Sequence, residues 1–132
     1  MPSVLPVHDR ATFAILRSDG SRARCGPLRV SFVPEEVVAR ARAAKRVQQS
    51  MSGRCQVAYA VGRRTGGAVE RNRTRRRLRA VVRATGPEME PGAYLISAEP
   101  AVKAMSFHDL ETALRSALRS ACAGAVCLKD GR

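Results

Sequence analysis

Between residues 63 and 83 the chain reads Arg63-Arg64-Thr65-Gly66-Gly67-Ala68-Val69-Glu70-Arg71-Asn72-Arg73-Thr74-Arg75-Arg76-Arg77-Leu78-Arg79-Ala80-Val81-Val82-Arg83. Nine of these 21 residues are Arg and only Glu70 is acidic, so the segment suits one kind of chemistry, the holding of phosphates. Guanidinium forks match phosphate oxygens in pairs and stack on bases. The other chemistry-bearing residues are scattered. Phosphodiester hydrolysis by protein groups calls for carboxylates gathered around metals, or for a histidine working as acid and base. Here Glu35 and Glu36 fall in one segment, Glu88 and Glu90 in a turn, His8 near the N-terminus and His108 in the first turn of a helix. The pattern gives none of them a partner, and no catalytic residue is expected in the protein. The cysteines Cys25, Cys55, Cys122 and Cys127 contain no C-x-x-C pair. Structural zinc sites show ligands paired at short spacing, so no metal site is expected. The four read as free thiols of a reducing, cytoplasmic compartment.

The rest of the composition points the same way. The 132 residues suffice for one domain, and a formal charge of +13 is far more than solubility requires. Of the 24 basic residues 21 are Arg, to which a GC-rich codon bias contributes without explaining the sign or size of the charge. The natural partners of such a surface are polyanions. No apolar run is long enough to span a membrane. The N-terminus lacks the charged start and apolar stretch of a secretory signal. With 45% hydrophobic residues the chain can bury a core, and that core is aliphatic, because there is no Trp and only three Phe and two Tyr.

Several elements must position the arginines. Residues 9–16 read as a short helix with Asp9 as N-cap and Ser18-Asp19-Gly20 as its stop. Leu28, Val30 and Phe32 alternate along a strand that Pro34 ends, and Val57, Tyr59 and Val61 alternate along a second. Between the two lies an excursion, residues 34–53, with acidic Glu35-Glu36 first and basic Lys45-Arg46 last. That order suits a helix dipole, with Ser50-Met51-Ser52-Gly53 a loop. Thr65-Gly66-Gly67 breaks the pattern, and a helix follows to about Ala84, stopped by Thr85-Gly86-Pro87. After the Pro91-Gly92 turn, residues 93–98 form a buried strand. Ser106-Phe107-His108-Asp109 is a capping box, and Phe107, Leu110, Leu114, Ala117, Leu118 and Ala121 recur at helical spacing. The expected architecture is a single α+β domain over residues 1–132, one mixed sheet with helices in the order α-β-β-α-β-α. The 34–53 insert lies between the first two strands, and 1–8 and 123–132 are loose ends.

On the arginine-rich helix, Thr74, Leu78, Val81 and Val82 share the core stripe, and Arg71 falls near that stripe at the helix start. The remaining arginines spread over the other faces. A merely solvated helix intersperses Glu, since like charges at i+3 and i+4 repel. A membrane-surface helix needs apolar groups left over for insertion, and here they are committed to the core. Nucleic acid is the partner that remains. No helix-turn-helix or zinc module for reading DNA is present, whereas an Arg-rich helix with a Gly-rich approach suits structured RNA.

Arg71-Asn72-Arg73 followed by Thr74-Arg75-Arg76-Arg77-Leu78-Arg79 resembles the "RNR" signature of the protein subunit of bacterial ribonuclease P. The approach is similar too. The run Val57-Ala58-Tyr59-Ala60-Val61-Gly62-Arg63-Arg64-Thr65-Gly66-Gly67-Ala68-Val69 matches the family's strand, basic pair, glycine turn and Ala-Val without a gap. Phe13 followed by Gly20, the Pro91-Gly92 turn, Tyr94-Leu95-Ile96 and the last helix fall in the family's order, so the resemblance covers roughly residues 9–122. It implies a small α/β sandwich with a left-handed βαβ crossover, similar to a ribosomal-protein domain. It also implies a job. The family's holoenzyme removes the 5′ leader of precursor tRNA with a catalytic RNA subunit and bound Mg²⁺. The protein binds that RNA and holds the leader between its first helix and the sheet. Carried over, contacts to the RNA subunit fall on Arg63, Arg64, Arg71, Asn72, Arg73, Arg75, Arg76, Arg77 and Arg79. The leader cleft falls on Phe13, Arg17 and Tyr59, with core packing the alternative for Phe13 and strand packing the preferred reading of Tyr59. The expected partners are the catalytic RNA and precursor tRNA, with neither DNA nor a membrane, and the Mg²⁺ is held mainly by the RNA. Some positions depart from the family. Arg17 stands where a second aromatic is common, and Ser31 or Phe32 stands near a frequent cleft tyrosine. Ala80 replaces a usual Glu, and the 34–53 excursion is longer than usual. The alternative is a non-catalytic structural protein of ribosomal RNA.

Overall fold

A computed structural model describes residues 4–7, 10–18, 20–44, 55–85 and 89–129. The expected cap Asp9, residues His8, Asp19, Lys45, Arg46 and Glu88, the 50–53 loop and the Gly86-Pro87 stop lie outside the described residues. The chain runs β1 (Val4–Pro6), α1 (Arg10–Ser18), β2 (Ser21–Cys25), β3 (Leu28–Pro34), α2 (Glu35–Ala44), β4 (Cys55–Val61), α3 (Ala68–Thr85), β5 (Gly92–Ala98) and α4 (Phe107–Lys129). Short 3₁₀ turns at Arg63–Thr65 and Pro100–Ala104 precede α3 and α4.

The strands form one mixed sheet in the order β1-β4-β5-β3-β2. The most apolar run, β5, lies at its centre, antiparallel to β3 and parallel to β4. The parallel β4–β5 pair is joined through α3, the βαβ unit that the resemblance implies. Alternation then divides the side chains between two layers of helix. On one face Leu28, Val30, Phe32, Val57, Tyr94 and Ile96 pack against Leu78, Val81 and Val82 of α3 and Leu110, Leu114, Ala117 and Ala121 of α4. On the other, Val33, Ala58 and Ala93 pack against Leu16 of α1, Val38 of α2 and Val7, with Phe13 at the margin. The α+β architecture agrees with the expected fold, and so do the three expected strands, α3 and the Ser106 cap of α4, where the Asp109 N–H donates to Ser106 Oγ at 3.1 Å.

Three elements differ from expectation. Val4–Pro6, expected as a loose end, is a strand paired in parallel with β4, Val4 opposite Cys55. Ser21–Cys25 is an edge strand that the expected order lacks. It pairs antiparallel with β3 through a two-residue Gly26-Pro27 turn in which Gly26 takes φ +58°, a conformation that costs Gly little. Residues 35–44 form the helix expected within the 34–53 excursion, and it packs on the sheet. Helix α4 continues through 123–129, which was expected as a loose tail.

Candidate nucleic-acid interface

Helix α3 takes its orientation from four side chains. Thr74, Leu78, Val81 and Val82 are 0–3% exposed, and burying three aliphatic side chains contributes roughly 5–8 kcal/mol before ordering costs. With that stripe fixed against β4 and α4, helical geometry turns Asn72, Arg73, Arg76 and Arg83 outward, all of them exposed. The start of the helix is set by Gly66. It takes φ +138°, and a Cβ there would meet the Glu70 carboxylate at 1.7 Å. Arg63 and Arg64 stand exposed in the 3₁₀ turn just before it.

The flanks of α3 use their arginines otherwise. Arg77, expected among the RNA contacts, is half-buried and donates to the carbonyl oxygens of Val102 (3.3 Å) and Met105, tying the helix to the Pro100–Ala104 turn. Arg71 is half-buried too, with its Nε enclosed and without a hydrogen-bond partner, in keeping with its place at the edge of the core stripe. Arg75 donates to Asn72 Oδ1 at 3.1 Å, which holds the Asn amide in a set orientation. The Arg79 guanidinium lies 5.6 Å from the centre of the Tyr59 ring, a cation–π arrangement.

Tyr59 corrects the expected leader cleft. Its position in β4 puts it on the α3 face, packed at the margin of the larger cluster, on the opposite side of the sheet from α1. Burial pushes its phenol up to about 12, against the pull of Arg79 and Arg83. Phe13 is half-buried against the smaller cluster, on the α1 side of the sheet. Ser31 and Phe32, neighbours in sequence, part company: Ser31 Oγ donates to the Leu16 carbonyl at 2.7 Å on the α1 face, while Phe32 stacks on Tyr94 on the other, centroids 4.6 Å apart.

The α1 side of the sheet carries a groove of ≈ 360 Å³ between the end of α1 and strands β2, β3 and β5. Arg17, Arg22, Arg24 and Arg29 line it, over a floor that includes Ser31, Leu95 and Ser97. Of these four arginines only Arg17 was singled out in the sequence. Arg22 and Arg24 alternate with Ala23 between two glycines, and Arg29 alternates with Leu28 and Val30. That period of two on a short polar strand was the available signal. Arg29 and Ser97 also line a second groove of ≈ 440 Å³, whose other walls include Gly62, Arg64, Thr65, Glu99 and Pro100. A continuous basic track therefore runs from the C-terminal end of α1 across the sheet to the turn that begins α3. Beyond that turn, α3 carries the exposed row Asn72, Arg73 and Arg76. Such a track fits a polyanion strand whose backbone it follows, with phosphate contacts dominating over base stacking.

Burial, with Cys122 and Glu35 adding to it, raises the Cys55 thiol to about 11. Burial likewise keeps the Tyr94 phenol protonated, its hydroxyl donating to the Glu90 carbonyl at 2.6 Å. Among the described residues, no three His, Cys, Asp or Glu side chains gather in a group able to hold a metal ion, and no helix is long and apolar enough to cross a membrane.

Fold and track together define a small, strongly basic α+β protein with two adjoining arginine-lined surfaces. Comparison with known proteins takes this further: the sequence profile of the Ribonuclease P family matches residues 1–122, and the chain belongs to that family. The ribonuclease P protein component of Roseiflexus sp. (strain RS-1) is 39% identical over 65 residues, covering 48% of this chain and 53% of that protein. That of Chloroflexus aurantiacus is 39% identical over 66 residues, 48% and 49% of the two chains. The match thus spans about half the length of these curated relatives. The RNase P protein of Staphylococcus aureus superposes with a TM-score of 0.66 at 15% identity, covering 89% of this chain and 94% of that one. The protein from Thermotoga maritima gives 0.65 at 15%, covering 86% and 94%. At such identities the superpositions establish the shared fold.

Proposed function

We propose that this chain is the protein component of a cytoplasmic ribonuclease P holoenzyme. In this reading it binds the catalytic RNA subunit through Arg63, Arg64, Asn72, Arg73 and Arg76, with Arg75 and Arg79 at the flank. It holds the 5′ leader of precursor tRNA in the groove walled by Arg17, Arg22, Arg24 and Arg29. The hydrolysis of one phosphodiester belongs to the RNA, which also holds most of the Mg²⁺, and no hydrolytic step is assigned to a side chain of this protein. The chain's own work is electrostatic. It neutralises two phosphate backbones at once, lowers the repulsion between RNA subunit and substrate, and fixes the leader's path by placing cations along it.

The observation that carries the reading is the continuity of the two surfaces. Arg29 and Ser97 belong to both grooves, and the second groove ends at Arg64, one turn before the RNR helix. A protein that only coated one structured RNA has no need of a strand-sized groove joined to its helical contact surface.

The test is competitive binding by the protein–RNA holoenzyme of precursor tRNA and of the same tRNA without its leader, near physiological salt. The reading predicts a preference for precursor that Arg17→Ala together with Arg22→Ala reduces by roughly 10-fold, about the loss of two charge-assisted contacts at a partly exposed site. Equal affinity for the two tRNAs overturns it and favours a structural role on ribosomal RNA.

A further inference from the structure

Resting on the reading of the groove as a strand site, we infer that Glu99 is an affinity-setting residue: its carboxylate occupies a phosphate position between Arg24 and Arg29 and competes with the RNA strand for them. Arg24 and Arg29 are directly opposed on antiparallel strands, where like charges repel. Glu99 resolves that conflict. Its Oε1 lies 3.1 Å from Arg24 Nη2 and 3.0 Å from Arg29 Nη2, and its Oε2 accepts from Arg24 Nη2 at 3.2 Å. One carboxylate thus bridges two guanidiniums, as a bound phosphate does.

The carboxylate is rooted independently of the arginines. The Glu99 N–H donates to the Pro27 carbonyl at 2.9 Å, and the Glu99 carbonyl accepts from Val102 N–H at 3.0 Å. The first bond fixes the residue to the β2–β3 turn, and the second makes it the start of the Pro100–Ala104 turn. Arg24 is steadied too, since its Nε donates to the Gly26 carbonyl at 3.2 Å. The pair is nonetheless accessible: the Arg24 and Arg29 side chains are 56% and 58% exposed and that of Glu99 39%. Exposed ion pairs of this kind exchange at little cost. An RNA phosphate entering at the joint of the two grooves displaces Glu99 from its cations, and the carboxylate recaptures them when the strand leaves. The consequence is a groove that binds single strands more weakly than its arginines alone would, which favours release and penalises strands not anchored elsewhere on the holoenzyme.

The test measures affinity of the full chain for a short single-stranded oligoribonucleotide as a function of salt. Five proteins are compared: wild type, Glu99→Gln, Glu111→Gln, the Arg24→Ala/Arg29→Ala double variant, and that double variant carrying Glu99→Gln. Glu111 pairs with Arg115 on α4, away from the groove, and controls for the change in net charge. The inference predicts that Glu99→Gln tightens binding roughly 2- to 5-fold beyond Glu111→Gln. It also predicts a log–log salt slope close to that of wild type, since the same phosphates are paired in both complexes, and loss of the whole gain in the double-variant background. Equal effects of Glu99→Gln and Glu111→Gln, or weaker binding by Glu99→Gln, overturn the inference. If the double variant binds worse than wild type in that case, the groove remains a strand site. If the double variant binds as well as wild type, the groove reading falls as well.

Discussion

Arg76 and Arg77 are adjacent in the sequence and opposite in use. Arg76 points outward from α3, while Arg77 caps two carbonyls of the turn before α4. Arg77→Gln is therefore expected to destabilise the fold by about 1–2 kcal/mol through the lost charge-assisted hydrogen bonds. Arg76→Gln is expected to leave stability within about 0.5 kcal/mol and to weaken RNA binding. Chemical unfolding and RNA titration of both variants check this. A second expectation concerns alkaline pH. Cys55 and Tyr59 are raised to about 11 and about 12 from ordinary values of 9.0 and 10.0, so the folded state holds both protons more tightly than the unfolded state. Their contribution to stability is fully present below about pH 9 and is lost as pH rises through 9 to 11 for Cys55 and 10 to 12 for Tyr59. Unfolding midpoints should fall above about pH 9, and Tyr59→Phe should lessen the fall above about pH 10 without abolishing it, because burial holds the Tyr94 phenol protonated as well. A midpoint that rises above pH 9 contradicts the assignment. At this scale the core stripe of α3 was legible because Thr74, Leu78, Val81 and Val82 repeat with the helix period. The use of Arg77 was not, because its partners lie 25 and 28 residues further on. The face of Tyr59 was legible from its alignment with Val57 and Val61. That alternation favoured strand packing over the cleft role that the family resemblance offered, and Tyr59 packs against the α3-face cluster.

Among the elements, β5 carries the register of the sheet. It lies between β4 and β3, and Gly92 faces Pro34 at its start. Gly92 takes φ +153°, and a Cβ there would meet the Val33 carbonyl at 2.4 Å and the Phe32 ring at 2.6 Å. Neither backbone nor a stacked ring yields easily, so Gly92→Ala should destabilise by roughly 2–4 kcal/mol, measured by denaturant unfolding. A change under about 0.5 kcal/mol contradicts that packing. The elements that the sequence reveals are those with a strong apolar period: β3, β4, β5, α3 and α4. The elements it hides are short or polar. Val4–Pro6 has three residues, too few for alternation to register, and gains its order from the exposed edge of β4. Ser21–Cys25 alternates charge with small residues, because one face covers the core while the other lines the arginine groove. An edge strand built this way lacks the hydrophobic signature by which strands are found.

For the molecule as a whole, 13 of the 24 basic residues fall in two places, the 63–83 segment that leads through α3 and the groove on the far side of the sheet, which adjoin at Arg29 and Arg64. In the proposed function that division makes the protein a bridge between two RNA backbones, not a coat for one. The single-domain α+β plan, the basic helix and the family were legible in the sequence. The groove was only half legible, because three of its four arginines sit on strands β2 and β3, whose pairing alone brings them beside Arg17. The most direct test is a cleavage assay at low Mg²⁺ and near-physiological salt. Radiolabelled precursor tRNA is incubated with the cognate catalytic RNA, with the protein, and with both. The account predicts that the protein restores 5′ cleavage that the RNA alone performs poorly, and cleaves nothing by itself. A protein that binds the RNA without changing cleavage, or that cuts the precursor alone, contradicts it.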